Sequence, residues 1–104
     1  MLNAKAEIRF TLQGQNYEGG KHFRPVFRFA DGLLFSGTVI SDHKEFVSNQ
    51  PYIVDLEFFT VGEEAYDAIG PLLSEGMGLI IQAGSRIIGI AKLMEYSYSG
   101  QETA

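Results

Sequence analysis

Two apolar runs separated by a glycine-bearing link constrain this chain more than any other stretch. Leu79, Ile80 and Ile81 lead into Ala83-Gly84-Ser85, and Arg86-Ile87-Ile88-Gly89-Ile90-Ala91-Lys92-Leu93 leads out. β-Branched side chains fit a pleated strand better than a helix, and a glycine in the link supplies the positive φ that a tight reversal demands. The stretch from Gly76 to Tyr96 therefore predicts a β-hairpin. Gly89 and Ala91, both small, predict that another backbone or layer lies close against its second strand. None of these residues performs chemistry alone.

The rest of the chain supplies partners for that hairpin. Ala6 to Leu12 alternates apolar and polar residues at period two, as does Tyr52 to Phe59, where Val54, Leu56 and Phe58 share one side and Asp55 and Glu57 the other. Phe23, Pro25, Phe27 and Phe29 alternate with His22, Arg24, Val26 and Arg28. Leu33 to Ile40 reads as a further strand with Gly37 as a bulge or point of close approach. Gln13 to Lys21 and Ser41 to Pro51 read as polar loops. Glu63 to Ile69 is the one stretch with helical character, its acidic start suited to the helix dipole and Gly70-Pro71 ending it.

Six short strands and one short helix predict an all-β domain: a small six-stranded antiparallel closed β-barrel over residues 1–96, with 97–104 as a polar tail. Closure is expected because an open sheet of this size would leave two edges to aggregate. A chain of 104 residues suffices for one core, and an apolar fraction of 45% with eight Phe and five Tyr fills it. With no cysteine there is neither disulfide nor thiolate metal site, which permits a reducing, cytoplasmic setting. A targeting segment or apolar run long enough for a membrane span is not read in the sequence, so no membrane association is expected.

Eight Lys/Arg against thirteen Asp/Glu give a net charge of −5, which disfavours unspecific attraction to nucleic acid or anionic membrane. The distribution is uneven. Lys21, Arg24 and Arg28 cluster, whereas no Lys or Arg occurs from Glu45 to Ser85, a region holding Asp55, Glu57, Glu63, Glu64, Asp67 and Glu75. The basic group suits either capture of a phosphate or acidic partner, or charge matching to the acidic strand at Asp55 and Glu57.

Several blocks point to a family. Glu18-Gly19-Gly20-Lys21-His22, then Arg24-Pro25-Val26-Phe27-Arg28-Phe29, Ser36-Gly37-Thr38-Val39, and Gly78 through Gly89 occur in that order. Together they resemble the C-terminal β-barrel domain of translation elongation factor Tu, which carries Glu-Gly-Gly-Arg-His, Tyr-Arg-Pro-Gln-Phe-Tyr-Phe and Thr-Gly-Thr-Ile at the matching places. The resemblance covers about Ala6 to Tyr96 and implies a six-stranded antiparallel barrel. The P-loop pattern of that factor's GTPase domain is absent from the sequence, so no GTPase activity is expected. In the family this barrel helps hold the T-arm of aminoacyl-tRNA and contacts the GTPase domain. Carried over residue by residue, the resemblance implies partner-binding roles for Lys21, His22, Ser36 and Gly84. Val26 stands where the family has Gln and Ala83 where it has Glu, and Lys21 lacks the bidentate fork of an Arg.

Reactive constellations are sparse. His22 and His43 are the only histidines, with no third ligand spaced for zinc. No serine lies in a nucleophile-elbow pattern. Asp55 and Glu57 share a strand face, where solvation or pairing with Arg24 and Arg28 outweighs acid/base catalysis because nothing apolar is interleaved to raise a pKa. The sequence thus predicts a stand-alone, non-catalytic binding module with no cofactor or metal. Its expected binding residues are Lys21, His22, Arg24, Arg28, Ser36, Gly84 and Arg86. A protein partner is expected, with tRNA and self-association as further candidates. Two alternatives stand beside it: a decoy or immunity-type mimic of elongation factor Tu, and a small enzyme using His22 with a carboxylate.

Overall fold

Alternation drives the first strand further than its polarity suggests. In β1 (Leu2–Phe10) the side chains of Leu2, Ala4, Ala6, Ile8 and Phe10 are buried while Asn3, Lys5, Glu7 and Arg9 face outward, so the strand begins four residues before the expected Ala6. The computed structural model describes residues 1–11, 17–18, 24–29 and 32–99. The remaining strands are β2 (Tyr17–Glu18), β3 (Val26–Arg28), β4 (Leu34–Ser36), β5 (Thr38–Ile40), β6 (Glu45–Phe46), β7 (Tyr52–Phe58), β8 (Gly78–Ala83) and β9 (Arg86–Tyr98). A helix, α1 (Glu63–Ile69), and a 3₁₀ turn at Gly70–Leu72 lie between β7 and β8. Among the described residues no helix is long and apolar enough to cross a membrane.

Seven of these segments form one antiparallel sheet in the order β4-β3-β8-β9-β1-β7-β5. The first and last in that order flank a single residue, Gly37. The two edges of the sheet are therefore halves of one bent strand, residues 34–40, which pairs with β3 through its first half and with β7 through its second. Counted that way the barrel has six strands, antiparallel throughout, and its edges are joined by the chain itself.

Gly37 is required at the bend. A Cβ there would stand 2.7 Å from Phe58 Cε1 and 2.9 Å from Phe27 Cε2. Those two rings meet edge to face with centroids 5.3 Å apart, and Phe29 joins them through Phe58 at the same separation. The Gly37 amide donates to the Pro25 carbonyl at 3.0 Å, so the bend is also held by the backbone. Edge-to-face aromatic pairs in a dry core contribute about 0.5–1.5 kcal/mol beyond their burial.

The long strand β9 turns around the barrel by means of two register shifts. Ile81 pairs with Gly89 but Gln82 with Ile87, leaving Ile88 as the extra residue; Ala6 pairs with Leu93 but Lys5 with Glu95, leaving Met94. An extra residue bends a strand and strengthens its twist. At the first shift Ile88 is buried while Ile87 and Ile90 stay exposed. Gly89 fits the neighbouring strand as its size suggested: a Cβ would lie 2.6 Å from the Arg9 carbonyl oxygen and 3.1 Å from Phe10 Cα. The strand continues to Tyr98, pairing Ser97 with Asn3 and Tyr98 with Leu2, so the polar tail read from residue 97 is sheet for its first two residues. The backbone of β1 satisfies those donors regardless of side-chain polarity.

Both ends of the barrel are plugged. At one, α1 spans the expected residues and buries Ile69, with Val61 and Leu73 buried beside it. A seven-residue helix is too short to persist alone, so this burial sustains it. Tyr66 of α1 stacks on Tyr98 with centroids 4.2 Å apart and planes 9° from parallel. At the other end Phe46, fully buried, packs against Phe10 at 5.7 Å and edge to face on Tyr52 at 5.0 Å. The two regions read as polar loops thus contain a small ladder, β2 paired with β6. A two-residue pairing leaves no periodicity to read, and Phe46 is recruited because the barrel mouth would otherwise expose Phe10.

Two measurements check these packing arguments. Gly89→Ala pushes a methyl into the β1 backbone and is expected to lower unfolding free energy by about 1–3 kcal/mol in urea titration. Gly78→Ala, whose Cβ would meet nothing within 4 Å, is expected to change it by less than about 0.5 kcal/mol. The Tyr98 phenol is raised above its ordinary value by burial first, then by Glu63, Asp67 and Tyr66. The folded state thus holds this proton more tightly than the unfolded chain, so its stabilisation is whole below the free-tyrosine pKa and is lost as pH climbs through the folded value. Alkaline titration of tyrosinate absorbance is expected to show a component above the free-tyrosine range that vanishes in Tyr98→Phe.

Candidate binding face

The β8–β9 hairpin is the platform for the expected binding residues. Gly84 takes φ +60° in the two-residue loop between paired Ala83 and Arg86, as the sequence predicts for the first central position of a tight reversal. Arg86 follows on the exposed side. Strand β3 pairs with β8 so that Val26 faces Gln82, and with β4 so that Val26 faces Ser36. Continuing that register by two residues brings exposed Arg24 level with Gly84. Arg24, Ser36, Gly84 and Arg86 therefore gather at one rim of the barrel, although 62 positions separate the first from the last in sequence. Lys21 and His22 lie outside the described residues.

Arg28 is on the same outer face, further along β3, because inward Phe27 separates it from Val26. Its Nε donates to Gln82 Oε1 at 3.3 Å, and Gln82 Nε2 donates to the Gly84 carbonyl at 2.9 Å. Gln82 is the one buried polar side chain among the described residues, and both ends of its amide are satisfied. This relay ties β3 to the hairpin loop and orients the guanidinium. Among the described residues this bond engages one of the five guanidinium donors of Arg28.

The sheet adds residues that the sequence reading did not select. Leu34 pairs with Arg28, Arg28 with Ile80, Ile80 with Ile90, and Ile90 with Arg9, so five strands contribute one outward-facing row. Leu34 is 48% exposed and Ile90 52%, with Ile87 at 48% on the neighbouring row. An open trough of about 630 Å³ runs over Ile80 and Ile90, bounded by Arg9, Glu7, Lys92 and Gly78. The signal for this face was present in the uninterrupted apolar runs around Ile80 and Ile87. A strand in a filled barrel buries only one side, so a run apolar on both sides must present the other outward.

The acidic surface is separate. Asp55 and Glu57 lie on β7, whose neighbours are β1 and β5 rather than β3. The cation opposite Asp55 is Lys5, which also pairs across the sheet with Glu95, its Nζ 3.8 Å from Glu95 Oε1. Charge matching at this acidic strand thus falls to β1, correcting the pairing with Arg24 and Arg28 considered from sequence. Both partners are well exposed, and an exposed pair of this kind contributes at most about 1 kcal/mol. His43 is exposed and its ring meets Tyr52 edge to face at 4.8 Å. Among the described residues no group of three or more His, Asp or Glu is placed to hold a metal ion.

Removing the relay tests its role. Gln82→Ala deletes both hydrogen bonds and is expected to cost about 1–2 kcal/mol, with faster amide exchange confined to the hairpin loop and the end of β3. Native-state hydrogen exchange reads both outcomes.

The chain matches no protein-family model, and no curated protein matches it.

Proposed function

We propose that this chain is a non-catalytic binding module, a barrel resembling the C-terminal domain of elongation factor Tu, which acts in the cytoplasm by docking a protein partner on the outer face of β8 and β9. The observation that carries this reading is the outward-facing group of Ile80, Ile87 and Ile90 on β8 and β9, with Arg9 beside Ile90. Exposed aliphatic side chains bordered by arginine combine a desolvatable centre with a charged rim, the composition that protein interfaces favour. The barrel interior is packed with Phe10, Phe27, Phe58, Ile8, Leu56 and Ile81, and this supports an outside surface as the working one.

A protein suits this face better than RNA. Its apolar members are isoleucines, which offer no ring on which a base stacks, and the chain as a whole is acidic. The family resemblance supports a place near the translation machinery, with tRNA as the competing partner.

Crosslinking in the native host separates these partners. A photo-crosslinking phenylalanine analogue in place of Ile90 is expected to trap a discrete protein, and the same analogue in place of Ile53, 56% exposed on β7, is expected to trap none. An RNA adduct at Ile90, or equal capture at both positions, overturns the proposal.

A further inference from the structure

Strand β9 outruns its neighbour. It has 13 residues against 6 in β8, and the pairing between them runs from Ala83 opposite Arg86 to Gly78 opposite Lys92. One step further, Leu93 donates its amide to the Met77 carbonyl and accepts from the Gly76 amide. Beyond Leu93 the strand continues to Tyr98 with β1 on one side, and among the described residues no strand lies on the other.

Backbone direction decides which groups this overhang leaves over. The Ser99 amide donates to the Met1 carbonyl and the Met1 ammonium to the Ser99 carbonyl, while Ser97 and Glu95 stand opposite Asn3 and Lys5. Hydrogen-bonding direction alternates along a strand, so Glu95, Ser97 and Ser99 aim their N–H and C=O groups at β1, and Tyr96 and Tyr98 aim theirs away. Those outward-aimed groups meet no backbone partner among the described residues. The two tyrosine side chains turn inward onto the core, Tyr96 donating its hydroxyl to the Leu73 carbonyl at 3.2 Å and Tyr98 stacking on Tyr66. Glu95 and Ser97 are exposed on the outer side. Natural edges are guarded by a lysine or a proline, and neither occurs between Tyr96 and Tyr98.

We infer that this overhang is a dimerisation edge, to which a second copy of the chain adds its own Tyr96–Tyr98 segment, antiparallel, about a two-fold axis through Ser97. Tyr96 then exchanges both hydrogen bonds with the partner's Tyr98, and Tyr98 with the partner's Tyr96, so every outward-aimed group is satisfied. An axis through Tyr96 would instead set Tyr98 against Met94, the extra residue of the bulge, and an axis through Tyr98 would set Tyr96 against Gly100, past the end of the strand. With the axis at Ser97, that residue faces the partner's Ser97 as a non-hydrogen-bonded pair, the Cα atoms about 4.5 Å apart and the two hydroxyls free to bond. Glu95 falls opposite the partner's Ser99 and keeps Lys5 beside it, so no like charges meet across the axis.

The chain's own short ladder, β2 with β6, lies at the other barrel mouth against Phe10 and leaves this edge open. Edge pairing asks nothing of the convex outer face. It also lies further along β9 than Ile87 and Ile90, so the inference does not depend on the docking surface proposed above. Pairing this short belongs with interfaces below about 1,200 Å², and a weak dimer that forms with rising concentration is expected.

Sedimentation velocity of the full chain over a concentration series is expected to show a monomer–dimer equilibrium. Ser97→Lys opposes two ammonium groups on the axis and is expected to weaken the dimer at least about tenfold, with circular dichroism confirming that the barrel is intact. The chain has no cysteine, so a single introduced thiol reports on the axis directly. In Ser97→Cys the Cα separation of about 4.5 Å lies within disulfide reach, and oxidation by diamide is expected to yield the covalent dimer at least about tenfold faster than in Asp55→Cys, exposed on β7. A wild-type chain that stays monomeric up to about 1 mM, a dimer that Ser97→Lys leaves unchanged, or equal crosslinking of the two cysteine variants overturns the inference.

Discussion

Everything in this barrel depends on how closely residues 34–40 approach Phe27 and Phe58. The strand must leave β3 and join β7 within a few residues, and it does so over two aromatic rings that admit no Cβ at Gly37. Without that contact the sheet would end in two exposed edges, a state a chain of this size tolerates poorly. The aromatic cluster thus sets the topology as well as filling space. It decides that the sheet is a cylinder, and a cylinder has an inside and an outside.

That division governs what the surface can be. A filled interior takes one side chain in two along each strand. Where a strand alternates, as β1 and β7 do, the outside is largely polar apart from Ile53: Lys5 and Asp55, with Glu95 of β9, make a solvated charged surface. Where a strand is apolar on both sides, as β8 and the start of β9 are, the surplus emerges on the outside as Ile80, Ile87 and Ile90. Leu34 reaches the same level from β4. The extra residue Ile88 sharpens the effect, since it enters the core and leaves isoleucines exposed on either side of it. Apolar surface at that place follows from the strand register.

Charge is divided along the same line. Arg24, Arg28 and Arg86 lie on or beside β3 and β9, which do not border the acidic strand β7, whereas Arg9 lies on β1, which does. Gln82 joins the two parts of this arrangement by accepting from Arg28 and donating to the hairpin loop. A protein with a net charge of −5 thereby keeps Arg9 and Lys92, with Glu7, beside its outward-facing isoleucines. Local geometry, and not total charge, determines what such a surface attracts.

The primary sequence determined a good deal by local rules alone. Period-two alternation gave the strands around Ala6, Phe27 and Val54, though the first starts four residues earlier than read; acidic residues followed by Gly70-Pro71 gave α1, and Gly84 gave the hairpin, because each rests on the preferences of neighbouring residues. Gly37 and Gly89 announced close contacts through their size, without naming what they touch. Only the tertiary structure decided that Phe46 plugs a barrel mouth, that Arg24 and Arg86 share a rim, and that Arg28 falls level with Ile80 and Arg9 with Ile90. Those facts depend on which strand lies beside which and in what register, a property of the closed sheet that no window of sequence contains.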